Sequence, residues 1–357
     1  MNKGKVVIGM SGGVDSSVAA LILKEQGYDV AGVTMRMWQD DNSGLIDKSA
    51  GSCGLSTAED ARRVADIIGI PHYIIDFRRE FQNSVIDYFI GEYREGRTPN
   101  PCIACNRHIK WEALLSYAGE IGADYIATGH YGRIVRLQNG RFSVAKSGAA
   151  GKDQSYVLYA LTQEELAHTV FPLGGLTKDE VRRMALEAGL PVADKKDSQD
   201  ICFIPDGDYA AFIERYTGQK NVPGFFTDTD GNILGHHKGI SHYTVGQRKG
   251  LGVAFGEPRF VLRINPDENT VVLGTADELM TSRVLVLKVN YMSCTSLESE
   301  RRVTGKLRYS QKDAYCVIRP SKNGIIAEFD EPQRAATPGQ AAVFYDGGCI
   351  LCGGVIA

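Results

Sequence analysis

No stretch of the chain approaches the run of about 18 apolar residues that a membrane helix needs, and the apolar run behind Met1 is too short for a signal peptide. A soluble cytoplasmic protein with no membrane partner is expected. Nor is there an excess of positive charge: 40 Lys+Arg stand against 43 Asp+Glu, for a formal net charge of -3. Any nucleic-acid partner must therefore be held by local patches rather than by the field of the whole chain. Cysteine is sparse, with eight residues at positions 53, 102, 105, 202, 294, 316, 349 and 352. In a chain without an export signal this argues against a disulfide framework and for reduced, catalytic or metal-bound thiols. Internal repeats and low-complexity segments are missing as well. What remains is 357 residues, 43% of them apolar, enough for two to three domains with at least one sizeable core.

The first 200 residues alternate short β-branched runs with helical patterns, the signature of a parallel sheet covered by helices. Strands are expected at Val6–Met10, Asp29–Met37, Ile70–Asp76 and Tyr125–Thr128, and helices at Ser17–Gln26 and Trp111–Ile121. Ser56-Thr-Ala-Glu59 and Thr177-Lys-Asp-Glu180 read as capping boxes opening two more helices. After about residue 205, Gly, Pro and turn dipeptides become frequent, and helical periodicity ends with the Asp208–Tyr216 segment. From about 280 onward alternating runs such as Val284–Val289 and Ala314–Ile318 recur between turns, as in a small β-barrel. Domains of 1–205, 206–278 and 279–357 follow.

Ser11-Gly-Gly-Val-Asp-Ser16 lies directly between the first strand and the first helix. Two glycines allow close backbone approach, and the helix start offers free N–H groups and a positive dipole end, together a cradle for phosphate oxygens. It lacks the Lys-Ser/Thr of a Walker A loop and the third glycine of a dinucleotide fingerprint. An ordinary strand-to-helix turn capped by Ser11 or Asp15 is the bland alternative. The hexapeptide resembles the pyrophosphatase-type loop of enzymes that split ATP between its α- and β-phosphates. That implies adenylation of an oxygen, with Asp15 helping to position Mg²⁺ and Met35, at the end of the second strand, contacting the adenine.

Thr98-Pro-Asn-Pro-Cys-Ile-Ala-Cys-Asn106 reads as a proline-stiffened loop between two helical segments, with Cys102-x-x-Cys105 at its centre. Such a pair is a redox couple, half a metal site, or chance. A third cysteine stands in Asp197-Ser-Gln-Asp-Ile-Cys202-Phe203. Cys53, Cys294 and Cys316 read as buried apolar residues, and Cys349-x-x-Cys352 as structural.

Taken in order, Ser11–Ser16, the Asn100-Pro-x-x-x-Cys-Asn106 segment, Ala127-Thr-Gly-His-Tyr131, Gly151-Lys-Asp-Gln-Ser-Tyr156, Asp197–Phe203 and Gly239-Ile-Ser-His-Tyr-Thr-Val-Gly-Gln-Arg-Lys-Gly-Leu-Gly252 resemble the bacterial tRNA-specific 2-thiouridylases, the MnmA/TrmU family, over essentially the whole length. The fold this implies is α/β: a doubly wound parallel-sheet PP-loop domain of the adenine nucleotide alpha hydrolase type, then a small central domain and a C-terminal β-barrel. The activity implied is ATP-dependent replacement of O2 by sulfur on the wobble uridine of tRNAs of the Lys, Glu and Gln type. A cysteine desulfurase or sulfur-relay protein would supply the sulfur. Gly9, Met10, Ser11, Gly12, Gly13, Val14, Asp15, Ser16, Met35 and Gly129 fall where the family binds ATP. Cys202 falls where it carries a persulfide, and Cys105 is the partner nucleophile that closes a disulfide. His130, Lys152, Asp153, Gln154, Arg308, Tyr309 and Gln340 fall at tRNA contacts, and Asn100 and Pro101 beside the target base. Many members have Asp where this chain has Cys102, which leaves an alternative: Cys102, Cys105 and Cys202 as ligands of a [4Fe-4S] cluster.

Residues 301 to 322 hold Arg301, Arg302, Lys306, Arg308, Lys312, Arg319 and Lys322 against Asp313 alone, a local net charge of +6, with Tyr309 and Tyr315 interleaved as stacking platforms. A solvated face is the alternative. Arg94, Arg97, Arg107 and Lys110 flank the cysteine segment and would guide phosphates toward it. Two rival functions stay open at this point, an amidating ligase with the same nucleotide loop and a non-catalytic tRNA-binding protein. The first needs neither Cys105 nor Cys202, and the second has no use for an intact Ser-Gly-Gly-x-Asp-Ser.

Overall fold

The structure, a computed structural model, describes residues 3–38, 55–148, 152–196, 201–253 and 256–357. Cys53, Gly151 and Asp197–Asp200, singled out above, lie outside the described residues. Two compact units emerge: Met1–Val85 with Cys102–Pro205 and Gly347–Ile350, and Ile86–Pro101 with Asp206–Asp346 and Leu351–Ala357.

The chain opens β1 (Lys5–Gly9), α1 (Val14–Glu25), β2 (Asp29–Arg36), α2 (Leu55–Ile68) and β3 (His72–Asp76). Next come α3 (Arg78–Phe81), a π-helical turn at Gln82–Ile86 and α4 (Asp87–Arg94). A continuous helical stretch follows, built of α5 (Pro101–Cys105), a π-helical segment Asn106–Ala113 and α6 (Leu114–Glu120). The first unit then adds β4 (Tyr125–Ala127), the hairpin β5 (Gly132–Arg136) and β6 (Phe142–Lys146), α7 (Gln163–Ala167), β7 (Thr169–Val170) and α8 (Lys178–Glu187). The second contains α9 (Tyr209–Thr217), β8 (Gly224–Thr227), β9 (Ile233–His237), β10 (Phe260–Asn265) and β11 (Thr270–Gly274). It ends with β12 (Met280–Tyr291), β13 (Arg301–Lys306), β14 (Ala314–Ser321), β15 (Gly324–Arg334), β16 (Ala341–Asp346) and β17 (Cys349–Ile356).

In the first unit a parallel sheet runs β3-β2-β1-β4-β7. Val6, Val7 and Ile8 are fully buried, as a central parallel strand covered on both faces demands, and each such side chain contributes about 1.5–3 kcal/mol. Val14, Val18, Ala19, Ile22 and Leu23 recur at helical spacing on α1 and pack in one core with Val181 and Ala185 of α8 and with Leu190, Val192 and Ala193 beyond it. Thr177 caps α8 in a complete capping box with Glu180, and Gly189 at φ +66° ends the helix.

In the second unit β10-β11-β8-β9 form a four-stranded sheet around Phe226, Val261, Val271 and Leu273. The last third is a barrel in the order β12-β15-β14-β13-β16-β17, closed where β12 pairs with β17 from Val286–Ile356 to Tyr291–Cys352. Its interior is filled by Val303, Cys316, Ile318, Phe329, Phe344 and Cys352, which confirms the apolar reading of Cys316.

Three local expectations need correction. The helix expected to open at Ser56-Thr-Ala-Glu59 is already helical at Leu55. β3 starts at His72 rather than Ile70, since Pro71 has no N–H to give the ladder. The cysteine segment is no loop: Pro101 occupies the first position of a helix, where its missing N–H costs nothing and its fixed φ suits helical geometry, so Cys102 and Cys105 stand one helical turn apart.

Candidate active site

β1 ends at Gly9, and the chain turns through Met10–Gly13 into α1, at the carboxyl end of a central strand where open α/β sheets bind ligands. The turn is held from inside. The Ser11 amide donates to Ser16 Oγ at 3.2 Å, and the Ser16 and Ser17 hydroxyls donate to the Gly13 carbonyl at 3.2 and 2.8 Å. Gly12 sits at φ +65°, and a Cβ there would lie 2.3 Å from the Thr57 carbonyl oxygen. Gly129, just past the end of β4, passes so close to α1 that a Cβ would lie 2.7 Å from Ser16 N. Glycine is therefore required at both places. Met10 and Val14 are 1% and 3% exposed, so only their backbone can face a ligand. Half-buried Met35 reaches across to Gly9, its Cε 3.2 Å from where a Cβ on that glycine would be.

Three groups distant in sequence converge on this loop. Lys178 Nζ and Tyr131 OH each donate to Asp15 Oδ1 at 2.7 Å. Lys195 Nζ donates to the Gly12 carbonyl at 2.9 Å and to Asp60 Oδ2 at 2.8 Å. Neither lysine was expected from sequence; the Thr177 capping box marks where α8 starts but not that its first residue reaches back to Asp15.

The cysteines also belong to the first unit. Cys105 is a buried free thiol whose Sγ–H points at Met37 Sδ, 3.8 Å away, and burial pushes it up to about 12. Cys102 is exposed at the surface, yet the protein packed around its thiol also raises it. Lys110 pulls both thiols the other way, and the charge of Cys202 acts on both, so the three sulfurs share one electrostatic neighbourhood. Cys202 is half-buried in a turn closed by Ile204 N on the Ile201 carbonyl at 2.9 Å and anchored by Phe203, which stacks edge-on against Phe81. Asn106 is 1% exposed and donates to the Val157 carbonyl at 2.9 Å, while its Oδ1 has no partner among the described residues.

Models of three families match consecutive parts of the chain: the tRNA methyl transferase HUP domain over residues 4–206, the tRNA methyl transferase PRC-barrel domain over 210–275 and the aminomethyltransferase beta-barrel domain over 281–356. Curated relatives named tRNA-specific 2-thiouridylase MnmA match from end to end. The protein of Lachnoclostridium phytofermentans is 57% identical over 353 residues, 99% of each chain, and that of Clostridioides difficile is 53% identical over 100% of this chain and 98% of its own. This chain belongs to the tRNA-specific 2-thiouridylase MnmA family. Its fold is accordingly an HUP parallel-sheet domain, a PRC-barrel domain and a six-stranded β-barrel. Among solved structures, a 4-thiouridine synthetase–RNA complex with bound ATP aligns at TM-score 0.35 and 20% identity, covering 57% of this chain and 46% of that one.

The residues that the family resemblance places at tRNA contacts have defined surroundings here. In the first unit, His130 packs between Trp111 and Phe171, with Nδ1 2.7 Å from Thr128 Oγ1, and burial holds its pKa well below the usual histidine range. Gln154 Oε1 accepts from Tyr131 N at 2.9 Å. Asp153 accepts from the Ser147 and Ser155 amides and the Ser155 hydroxyl, and Lys152 is half-buried beside it. In the second unit, Gln340 Nε2 donates to the Thr98 carbonyl at 2.9 Å, bracing the turn that carries Asn100 and Pro101. Gly339 at φ +88° lets that turn close in, since a Cβ there would lie 3.0 Å from Thr98 N. Arg308 donates to the Val245 and Ala335 carbonyls and to Thr337 Oγ1 at 3.2, 3.0 and 2.8 Å. Tyr309 is 43% exposed, with Lys306 Nζ 5.9 Å above its ring.

The +6 stretch is offset by acids from neighbouring strands and loops. Arg301 faces Asp346, Arg302 pairs with Asp330, and Arg319 pairs with Glu300 and Glu328. Tyr309 and Tyr315 are exposed, as are Lys312 and Lys322.

Proposed function

We propose that this tRNA 2-thiouridylase adenylates O2 of a wobble uridine with ATP and then replaces that oxygen with sulfur carried on Cys202. What supports the reading most is the combination, in one unit, of a glycine-built turn at the carboxyl end of β1 and of Cys102 and Cys105 one helical turn apart, both feeling the charge of Cys202. In the first step the uridine oxygen bonds the α-phosphorus, and the bond to the β-phosphate breaks with its electron pair going to pyrophosphate. The terminal sulfur of a Cys202 persulfide then attacks C2, AMP leaves with the oxygen, and the Cys105 thiolate attacks Cys202 Sγ. The C2–S group is released as the thiocarbonyl, a Cys105–Cys202 disulfide remains, and an external thiol reductant restores both cysteines. Lys110 is the cation that favours ionisation of Cys105 at this stage.

Asp15 has the donor chemistry for Mg²⁺, because both of its bonds use Oδ1 and its carboxylate is 30% exposed. When bound, the ion neutralises phosphate charge. Iron–sulfur chemistry fits the structure less well. No group of three His, Cys, Asp or Glu side chains is arranged to hold a metal among the described residues. No step is routed through a cluster. The family models carry a methyl-transfer label, whereas adenylation and paired thiols suit the thiolation named for the relatives. tRNA is the substrate, a persulfide-bearing protein the donor and the cytoplasm the setting; no described helix is long and apolar enough to cross a membrane.

The test supplies the whole protein with ATP, a tRNA transcript and a persulfide donor. One AMP and one pyrophosphate per thiolated uridine, and none without tRNA, is the expected outcome. AMP release that ignores tRNA would instead point to a small-molecule ligase.

A further inference from the structure

Lys178 and Lys195 stand 17 positions apart and do one thing together: both place an ammonium on the nucleotide loop, at Asp15 and at the Gly12 carbonyl. A single element explains both placements. Lys178 is the first residue of α8, which shares a core with α1 through Val181 and Ala185, so its side chain projects beside the loop that precedes α1. Lys195 follows the turn after α8, and Arg182 of that helix fixes this segment by donating to the Ala193 carbonyl at 2.8 Å and the Lys195 carbonyl at 3.2 Å.

We propose that Lys178 and Lys195 form the cationic seat of the departing pyrophosphate. This rests on the adenylation reading above. Breaking the α–β bond leaves the electron pair on pyrophosphate, and the loop itself offers only backbone N–H groups and hydroxyls to that growing charge. In the structure each ammonium is matched by a carboxylate, Asp15 at 2.7 Å and Asp60 at 2.8 Å. The Lys195–Asp60 pair is partly exposed and adds little stability, and both ammonium groups are placed on the very loop that would hold the phosphates. With phosphate oxygens in the cradle, the two ammonium groups gain a second, more highly charged partner where charge develops.

The experiment compares the full-length wild type with Lys178→Gln, Lys195→Gln and the conservative Lys178→Arg and Lys195→Arg. Two quantities are read: the affinity for magnesium pyrophosphate by calorimetry, and tRNA-dependent AMP release. Each Gln variant is expected to bind pyrophosphate about ten- to a hundredfold more weakly and to release AMP about a hundredfold more slowly, with the KM for tRNA unchanged. The Arg variants should recover part of both. Thermal unfolding identifies a variant that has lost its fold, in which case the Arg variant at that position decides. Unchanged pyrophosphate affinity in folded Gln variants would overturn the assignment, whether or not AMP release fell, and would leave the lysines as loop clamps. A wild type that binds pyrophosphate but never forms AMP would count against the adenylation reading and not against the seat.

Discussion

Cys105 shows how one side chain can be reactive in principle and quiet at rest. Its sulfur is buried against Met37, and a thiol there keeps its proton up to about pH 12. An unfolded chain would ionise it near 8.5, so the folded state binds the extra proton between those values. The stability from this group is therefore fully present below about pH 8.5 and is lost as pH rises toward 12. Reactivity follows the same curve. Iodoacetamide should label Cys105 at pH 7.5 at least about a hundredfold more slowly than an ordinary thiol, measured peptide by peptide under reducing, tRNA-free conditions. Labelling at the rate of a free thiol would show that the burial does not hold in solution. Gly12, Gly13, Asp15 and Ser16 stand within one turn, so a local pattern is enough to single them out. Lys178, Lys195 and Tyr131 escaped because each meets the loop across more than a hundred positions.

At the scale of elements, strands and helices of the first unit follow their periodicity closely, and the errors have identifiable physical sources. Pro-Asn-Pro reads as a breaker, yet Pro101 is a helix starter, and this one difference moves Cys102 and Cys105 from a loop onto a helix. Charge was misjudged for a related reason. A count along residues 301 to 322 cannot include Asp330 and Asp346, which the folded barrel brings within ion-pair reach of Arg302 and Arg301. Arg308 is a case where such a residue ties elements together, bonding Val245, Ala335 and Thr337 at once. Arg308→Ala would leave these acceptors unpaired, and a loss of about 1–3 kcal/mol is expected, read as a lower denaturant midpoint with an unchanged m-value. An unaltered midpoint would mean that the guanidinium is not engaged in this way.

For the molecule as a whole, the ordered set of motifs was more informative than any of them singly. Each short pattern has a bland structural explanation, whereas their sequence along 357 residues pointed to the family that the end-to-end relatives then established. The composition is consistent with that outcome: at net charge -3, tRNA is held by locally placed groups rather than by bulk attraction. Central to the account is that Cys105 and Cys202 act as a pair in sulfur transfer. The most direct measurement is anaerobic tRNA thiolation, with bound iron determined on the same samples, for Cys102→Ala, Cys105→Ala and Cys202→Ala. Thiolation should vanish in the Cys105 and Cys202 variants and fall only partly in the Cys102 variant, with no iron in the wild type to lose. Normal thiolation by Cys105→Ala or Cys202→Ala would contradict the account, as would activity that disappears from Cys102→Ala together with bound iron.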